Sequence, residues 1–371
     1  MIADTGHSVL DAAGRRWPAP DGIAFLRTGR ETLADAALER LDAGDNAGAL
    51  VLLLADQDDW WQGRTADPDA LRALVAGRDT LNLREAMALL AWGPVADYFA
   101  HRWSDPTFLA GLALVEAHCP TPATVFELAC GIGHHLRELA RRGAAVTGAD
   151  VVFAKLWIAR HWVAPEARLV CLDAAQDWPV PEAGFDLVAC HDAFYFLEPK
   201  TAIVAKLQRL LAPAGVLAIG HVHNRDWPNF SAGSAMQAGD VVAMFPGAAI
   251  YDDAELTAAL IARRAPRPAE PHALAQAEAF TIATGPGLQP SRAVRDGLAL
   301  PAPGTSLSRN PLYDAESGRV WPSERYGLEY GPRATYPETT AAPPRATLDT
   351  ADPVLCDQAR RRELVDLPGR W

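Results

Sequence analysis

Between Thr124 and Val222 the chain alternates short apolar runs with helix-length segments, and this alternation constrains the fold more than any other feature. The runs TVFELA (124–129), AAVTGAD (144–150), RLVCLDA (168–174), FDLVACHD (185–192) and VLAIGHV (216–222) read as strands. HHLRELARRG, FAKLWIARHW and KTAIVAKLQRLLAPAG read as helices, the last stopped by Pro213 and Gly215. Strands of this kind joined by helices make a parallel sheet covered on both faces. Further on, YDDAELTAALIARRA adds a capped helix and EAFTIATG a last strand ending near residue 285.

The first strand runs into FELACGIGHH, where Gly131 and Gly133 precede helix-forming sequence. A strand that turns sharply into a helix needs residues that tolerate unusual backbone angles and let a ligand approach. The free N–H groups of the helix that follows point into the same crevice. Seventeen residues after Gly133, Asp150 ends the second strand, where a carboxylate can accept hydrogen bonds from a ribose diol. Asp173 and Ala174 end the third strand, placed to reach an adenine edge. The set lies in order across neighbouring strand tips, where open α/β sheets bind ligands.

VFELACGIGHH, FDLVACHDAFYFLE and LQRLLAPAGVLAIG together resemble the motifs of class I S-adenosylmethionine-dependent methyltransferases, over roughly residues 105–285. The resemblance implies a seven-stranded Rossmann-like sheet, mainly parallel with a final antiparallel strand, and S-adenosylmethionine as cofactor. It implies that Glu127 orients the amino end of the methionine moiety. The implied cofactor set continues with Ala129, Gly131 and Gly133, then Asp150 with Val151, Asp173 with Ala174, and His191. Two positions depart from the pattern: Ala129 stands where the first motif glycine usually is, and Ala214 replaces a glycine after Pro213. A nicotinamide enzyme is the competing reading, but its fingerprint wants a small residue where this chain has Leu136.

Methyl transfer is an in-line displacement in which positioning supplies most of the acceleration, with a base needed only for some acceptors. The catalytic candidates follow the fourth and fifth strands: His191, Tyr195, His221 and His223. His221 and His223 share a strand face. As a metal pair they lack a nearby third ligand in the sequence, so no metal is expected. His134 and His135 read as structural or cofactor-adjacent.

Residues 1–104 have helical spacing, with ETLADAALERLDAGDNAGALVLLLADQDDWW as two short helices and NLREAMALLAWGPVADYFAHRW as one or two more. Asp105 is the expected N-cap of a helix whose first residue is Pro106. Trp60, Trp61 and the stretch Tyr98–Trp103 are candidates for a substrate lid, and Asp56, Asp58 and Asp59 read as a solvated loop. Residues 286–371 hold 12 of the 29 prolines. Tyr313, Trp321, Tyr326, Tyr330 and Tyr336 are too many aromatics for disorder, which suggests a Pro-rich C-terminal cap packed over the core. The organisation expected is thus an N-terminal helical region (1–104, lid or docking), a cofactor-binding domain (105–285) and a C-terminal extension (286–371).

A net charge of -12 disfavours nucleic-acid partners. No apolar run reaches a membrane span, and the first 20 residues lack the order of a signal peptide. The triplet at Asn229 would matter for glycosylation only in a secreted chain. Five cysteines without CxxC pairing read as small buried hydrophobes of a cytoplasmic protein. The expectation is methyl transfer to a small-molecule acceptor, at oxygen or nitrogen, by a protein that could form a homodimer. The alternatives are a protein or peptide acceptor, or a non-catalytic cofactor-binding regulator.

Overall fold

A computed structural model describes residues 3–4, 6–178, 183–228 and 233–371. The triplet at Asn229 lies outside them. The main sheet is built from β1 (Ala24–Phe25), β2 (Thr124–Leu128), β3 (Ala145–Asp150), β4 (Arg168–Cys171), β5 (Phe185–His191), β6 (Leu211–His223), β7 (Ala249–Asp252) and β8 (Ala279–Thr284). Their spatial order is β7-β8-β6-β5-β2-β3-β4-β1. The strands from β6 to β1 pair in parallel, whereas β8 runs antiparallel to both β6 and β7. The order reverses between β5 and β2, so the tips of β2, β3, β5 and β6 surround one crevice.

Each central strand is buried on both faces, which is why it reads as a continuous apolar run. Val125, Leu187 and Ala218 face one core with the Pro106–His118 helix, while Phe126, Val188 and Leu217 face the other with the Lys200–Arg209 helix. Asp105 caps the Pro106–His118 helix by accepting a hydrogen bond from the Thr107 N–H, as its sequence predicts.

The sheet has eight strands where seven were expected. The additional one, β1, is a two-residue segment of the N-terminal region that pairs with β4 through Ala24–Val170 and Phe25–Cys171. Two residues carry no periodic signal. Six of the seven expected strands were assigned to segments of the sequence; the seventh is β7, hidden because its last residue, Asp252, is also the N-cap of the next helix. The Lys200 helix ends at Arg209, and Leu211–Gly215, expected to close it, already run as β6.

The N-terminal region forms helices at Glu31–Asp42, Asn46–Leu54, Pro68–Gly77, Leu83–Leu89 and Pro94–His101, and its buried side chains join the same core as the sheet. Before them lies a three-stranded antiparallel ribbon that helical spacing did not foreshadow. The C-terminal extension adds a second small sheet, centred on Ser306–Arg309, and helices at Glu324–Tyr330 and Pro353–Arg360. Its aromatic residues Tyr313, Tyr326, Tyr330 and Tyr336 cluster with Tyr98 of the N-terminal region. No helix among the described residues is long and apolar enough to cross a membrane.

Candidate active site

The glycine turn is left-handed at Ala129 (φ 54°), Gly131 (φ 55°) and Gly133 (φ 86°). Alanine at the first of these carries strain of about 1–2 kcal/mol, tolerated because the rest of the turn is tied down. The Gly131 N–H donates to Asp150 Oδ2 at 3.0 Å and the Val152 N–H to Oδ1 at 2.9 Å. Asp150 thus bridges the turn and the tip of β3 while almost fully buried. Lys155 Nζ lies 3.7 Å from Asp150 and 3.8 Å from Asp58, so the Asp58 loop reaches the same strand tip. Asp56 in that loop is no solvated residue: its side chain is only 9% exposed and pairs with Arg27 at 2.5 Å. Trp60 packs at 5.6 Å on Phe196, next to Tyr195.

Val151, after β3, and Asp173, after β4, are half-buried. Asp173 accepts the Ala175 N–H at 2.8 Å, and the Ala174 carbonyl accepts from Trp178 Nε1 and Lys206 Nζ. His134 is held in place by a 2.9 Å contact from its Nε2 to the Phe99 carbonyl and by packing against Trp103.

Below the turn, Glu127 Oε1 lies 3.1 Å from His191 Nδ1 and 3.4 Å from His135 Nδ1. The two imidazoles stack, with centroids 4.0 Å apart. Burial pushes the Glu127 pKa up, but the His135 and His191 contacts outweigh it and hold the carboxyl down at about 2. Burial and the neighbouring His191 lower His135 to about 4, so at neutral pH Glu127 is an anion beside a neutral His135 ring. Glu127 Oε2 and the Nε2 atoms of both histidines are buried without a partner among the described residues.

A second cluster forms where β5 and β6 end. Asp192 accepts hydrogen bonds from Tyr195 Oη on Oδ1 and from Tyr98 Oη on Oδ2, each at 2.9 Å, and pairs with Arg102 at 3.0 Å through Oδ2. Burial raises the Asp192 pKa, but Arg102 and the two nearby histidines win and bring it to about 2. His221 Nδ1 lies 2.6 Å from Asp253 Oδ2, and Thr281 Oγ1 donates to the other Asp253 oxygen. Burial lowers the His221 pKa, but Asp253 and Asp192 together raise it above the ordinary value. His223 packs edge-on against both His221 and Tyr195, and burial lowers it to about 4. Asp192 (φ 52°) and His221 (φ 54°) both take the left-handed backbone that non-glycine residues avoid.

The structure therefore brings together the sequence candidates Glu127 with His191, Gly131 with Asp150, and Tyr195 with His221 and His223. It also supplies residues that sequence reasoning missed. Tyr98 and Arg102 were recognised only as part of a possible lid. Asp253 was read as part of a capped helix start, whereas Asp252 is the cap and Asp253 turns its carboxylate to His221. Asp192 lies beside His221 and His223 and offers a third possible donor, where the sequence reading counted only the pair. The three lie within reach of one another only because β5 and β6 pair through His191–Gly220.

Residues 125–215 match the family model described as a methyltransferase domain. Among curated proteins, the chain is 34% identical over 143 residues to a trans-aconitate 2-methyltransferase of Delftia acidovorans, covering 37% of this chain and 51% of that protein. It is 26% identical over 140 residues to a ubiquinone biosynthesis O-methyltransferase of Histophilus somni, covering 36% and 58%. An S-adenosylmethionine-dependent methyltransferase structure from Mesorhizobium loti aligns at a TM-score of 0.36 and 16% identity, over 48% of this chain and 96% of that one. The chain spans about half the length of the curated relatives it matches.

Residues 125–215 are thus a methyltransferase domain, and S-adenosylmethionine is its cofactor. The residues present fit that cofactor: the unpartnered, buried Glu127 Oε2 is the acceptor an ammonium group requires.

Proposed function

We propose that this protein transfers a methyl group from S-adenosylmethionine to a small-molecule acceptor, at oxygen or nitrogen. The observation that carries the reading is the buried Glu127 carboxylate with one unpartnered oxygen, beside a left-handed glycine turn tied to Asp150. The names of the relatives support the acceptor class, one referring to trans-aconitate and the other to ubiquinone biosynthesis.

When bound, S-adenosylmethionine would supply an activated methyl, which the acceptor's lone pair would take as the carbon–sulfur bond breaks, with S-adenosylhomocysteine as the leaving group. Glu127 binds the ammonium end, and Asp150, with Val151 beside it, takes the ribose hydroxyls. Gly131 and Gly133 let the backbone come close, and Asp173 and Ala174 flank the adenine. Tyr195, His221 and His223 line the acceptor chamber, with His191 between chamber and cofactor. The N-terminal Asp58–Trp60 loop closes the cofactor side as a lid, and the C-terminal extension caps the acceptor side through Tyr330 and Arg333, so that water is excluded around the reacting atoms.

The test is calorimetric titration of the protein with S-adenosylmethionine and S-adenosylhomocysteine, repeated on Asp150→Ala. Micromolar binding by the wild type is expected, weakened about 10- to 100-fold or more in the variant for the loss of charge-assisted hydrogen bonds. No binding by folded wild-type protein refutes the cofactor assignment. Binding without turnover across a panel of small hydroxyl, carboxyl and amine acceptors favours a regulator.

A further inference from the structure

The cluster at the ends of β5 and β6 has the donors, the backing and the geometry of a metal site. Asp192, His221 and His223 each offer a ligand atom, all within 4.8 Å of one another. His221 Nε2 lies 4.0 Å from Asp192 Oδ1. His223 is 4% exposed, and its Nδ1 is buried with no partner among the described residues.

The surroundings orient these groups as outer-shell partners orient metal ligands. Asp253 holds the Nδ1 edge of His221, which leaves Nε2 turned toward Asp192, and Thr281 in turn holds Asp253. Tyr98 and Arg102 both engage Asp192 Oδ2. Among the described residues only Tyr195 donates a hydrogen bond to Oδ1, so a lone pair remains on the oxygen nearest His221. The left-handed backbone at Asp192 and His221 sets the direction of both side chains in this convergence.

We propose that Asp192, His221 and His223 hold a first-row divalent cation, with open coordination positions that take an oxygen of the methyl acceptor. The binding site stands on these residues alone; its use in methyl transfer rests on the proposed function. Two imidazoles and one carboxylate favour zinc, cobalt, iron or manganese over magnesium or calcium. Donors about 2.1 Å from such an ion stand roughly 3 to 3.4 Å apart, so the cluster must close by about 1 Å, within the reach of side-chain rotation. Two guanidiniums stand nearby and oppose a cation, but each is offset by carboxylates. Arg102 is shared with Asp105 at 3.1 Å, and Arg333 lies between Asp253 at 4.0 Å and Glu278 at 2.9 Å. The three carboxylates Asp192, Asp253 and Glu278 outnumber them, leaving the field suited to a cation.

The experiment uses tag-free full-length protein, stripped with chelator and titrated with Co2+ by calorimetry and visible absorption, alongside His223→Ala, His223→Gln and Asp253→Asn. The expected result is one equivalent of Co2+ with ligand-field bands of low coordination number. Both His223 variants lose it, and Asp253→Asn, which spares all three donors, weakens it about 10- to 100-fold. S-adenosylhomocysteine titration of the same samples reports whether each variant retains its cofactor site. No stoichiometric binding by wild type, or binding that both His223 variants retain, overturns the proposal. If S-adenosylhomocysteine still binds in that case, the methyltransferase reading survives and only the metal is lost.

Discussion

Gly111→Ala should destabilise the protein, although glycine-to-alanine changes inside helices ordinarily stabilise. Gly111 sits in the Pro106–His118 helix, where a Cβ would stand 2.6 Å from His135 Nε2 and 3.0 Å from His191 Cδ2. Neither ring can retreat. They stack on each other at 4.0 Å, His135 is pressed by Phe108 at 4.7 Å, and a Cβ at Gly220 would already meet His191 at 2.7 Å. The helix gains about 0.5–1 kcal/mol from alanine. Against this stand about 1–3 kcal/mol for overpacking and part of the roughly 1.5–3 kcal/mol of a disturbed hydrogen bond to the Glu127 carboxylate. The balance is a loss of about 2 kcal/mol. Taken with an unfolding entropy of about 2.1 cal/mol/K per residue, it amounts to a fall of roughly 3 °C in Tm for 371 residues. Because the displaced pair holds Glu127, S-adenosylhomocysteine affinity should fall as well. Differential scanning calorimetry and binding titration measure both. Gly239→Ala is the comparison: Gly239 lies in the first turn of the Ala238–Met244 helix with nothing within 4 Å of a Cβ, and should be neutral or stabilising. A Gly111→Ala protein as stable as wild type, with unchanged affinity, would show that the histidine pair is not wedged as described.

His101 supplies a pH-dependent prediction. It packs edge-on against Tyr326 and Trp371, and burial, with the Arg84 charge, lowers its pKa from 6.5 to about 4. A depressed folded-state pKa contributes stability that is fully present above pH 6.5 and lost as pH falls through about 4. By linkage His101 alone accounts for about 3 kcal/mol of acid sensitivity in that window. Denaturant titrations from pH 7 to 4 should show a shallower decline in His101→Phe, and an unchanged slope would argue that this ring is hydrated. Removal of residues 370–371 should cost about 3 kcal/mol, at about 0.5–1 kcal/mol per partly buried hydrogen bond. Arg370 donates to the carbonyls of Arg78, Leu81 and His161, its own carbonyl accepts from the Leu83 N–H, and Trp371 donates to Ala100. A truncated protein with wild-type Tm would mean that these ties do not hold the N-terminal helices.

The sequence determined the features whose physics is local. The five central strands were legible because each buries both faces and so reads as an apolar run. Gly131 and Gly133 were legible because a left-handed turn selects glycine, and Asp150 because it ends a strand beside that turn. Tertiary structure alone decided the rest. Only folding places Tyr98 against Asp192, 94 residues on, and Asp253 against His221, 32 residues on. It also adds a two-residue strand to the sheet edge and joins Asp192 to two histidines from another strand. Backbone preference and hydrophobic periodicity are written into contiguous residues. The convergence of polar side chains depends on the packing of elements far apart in the chain, and no window of sequence contains it.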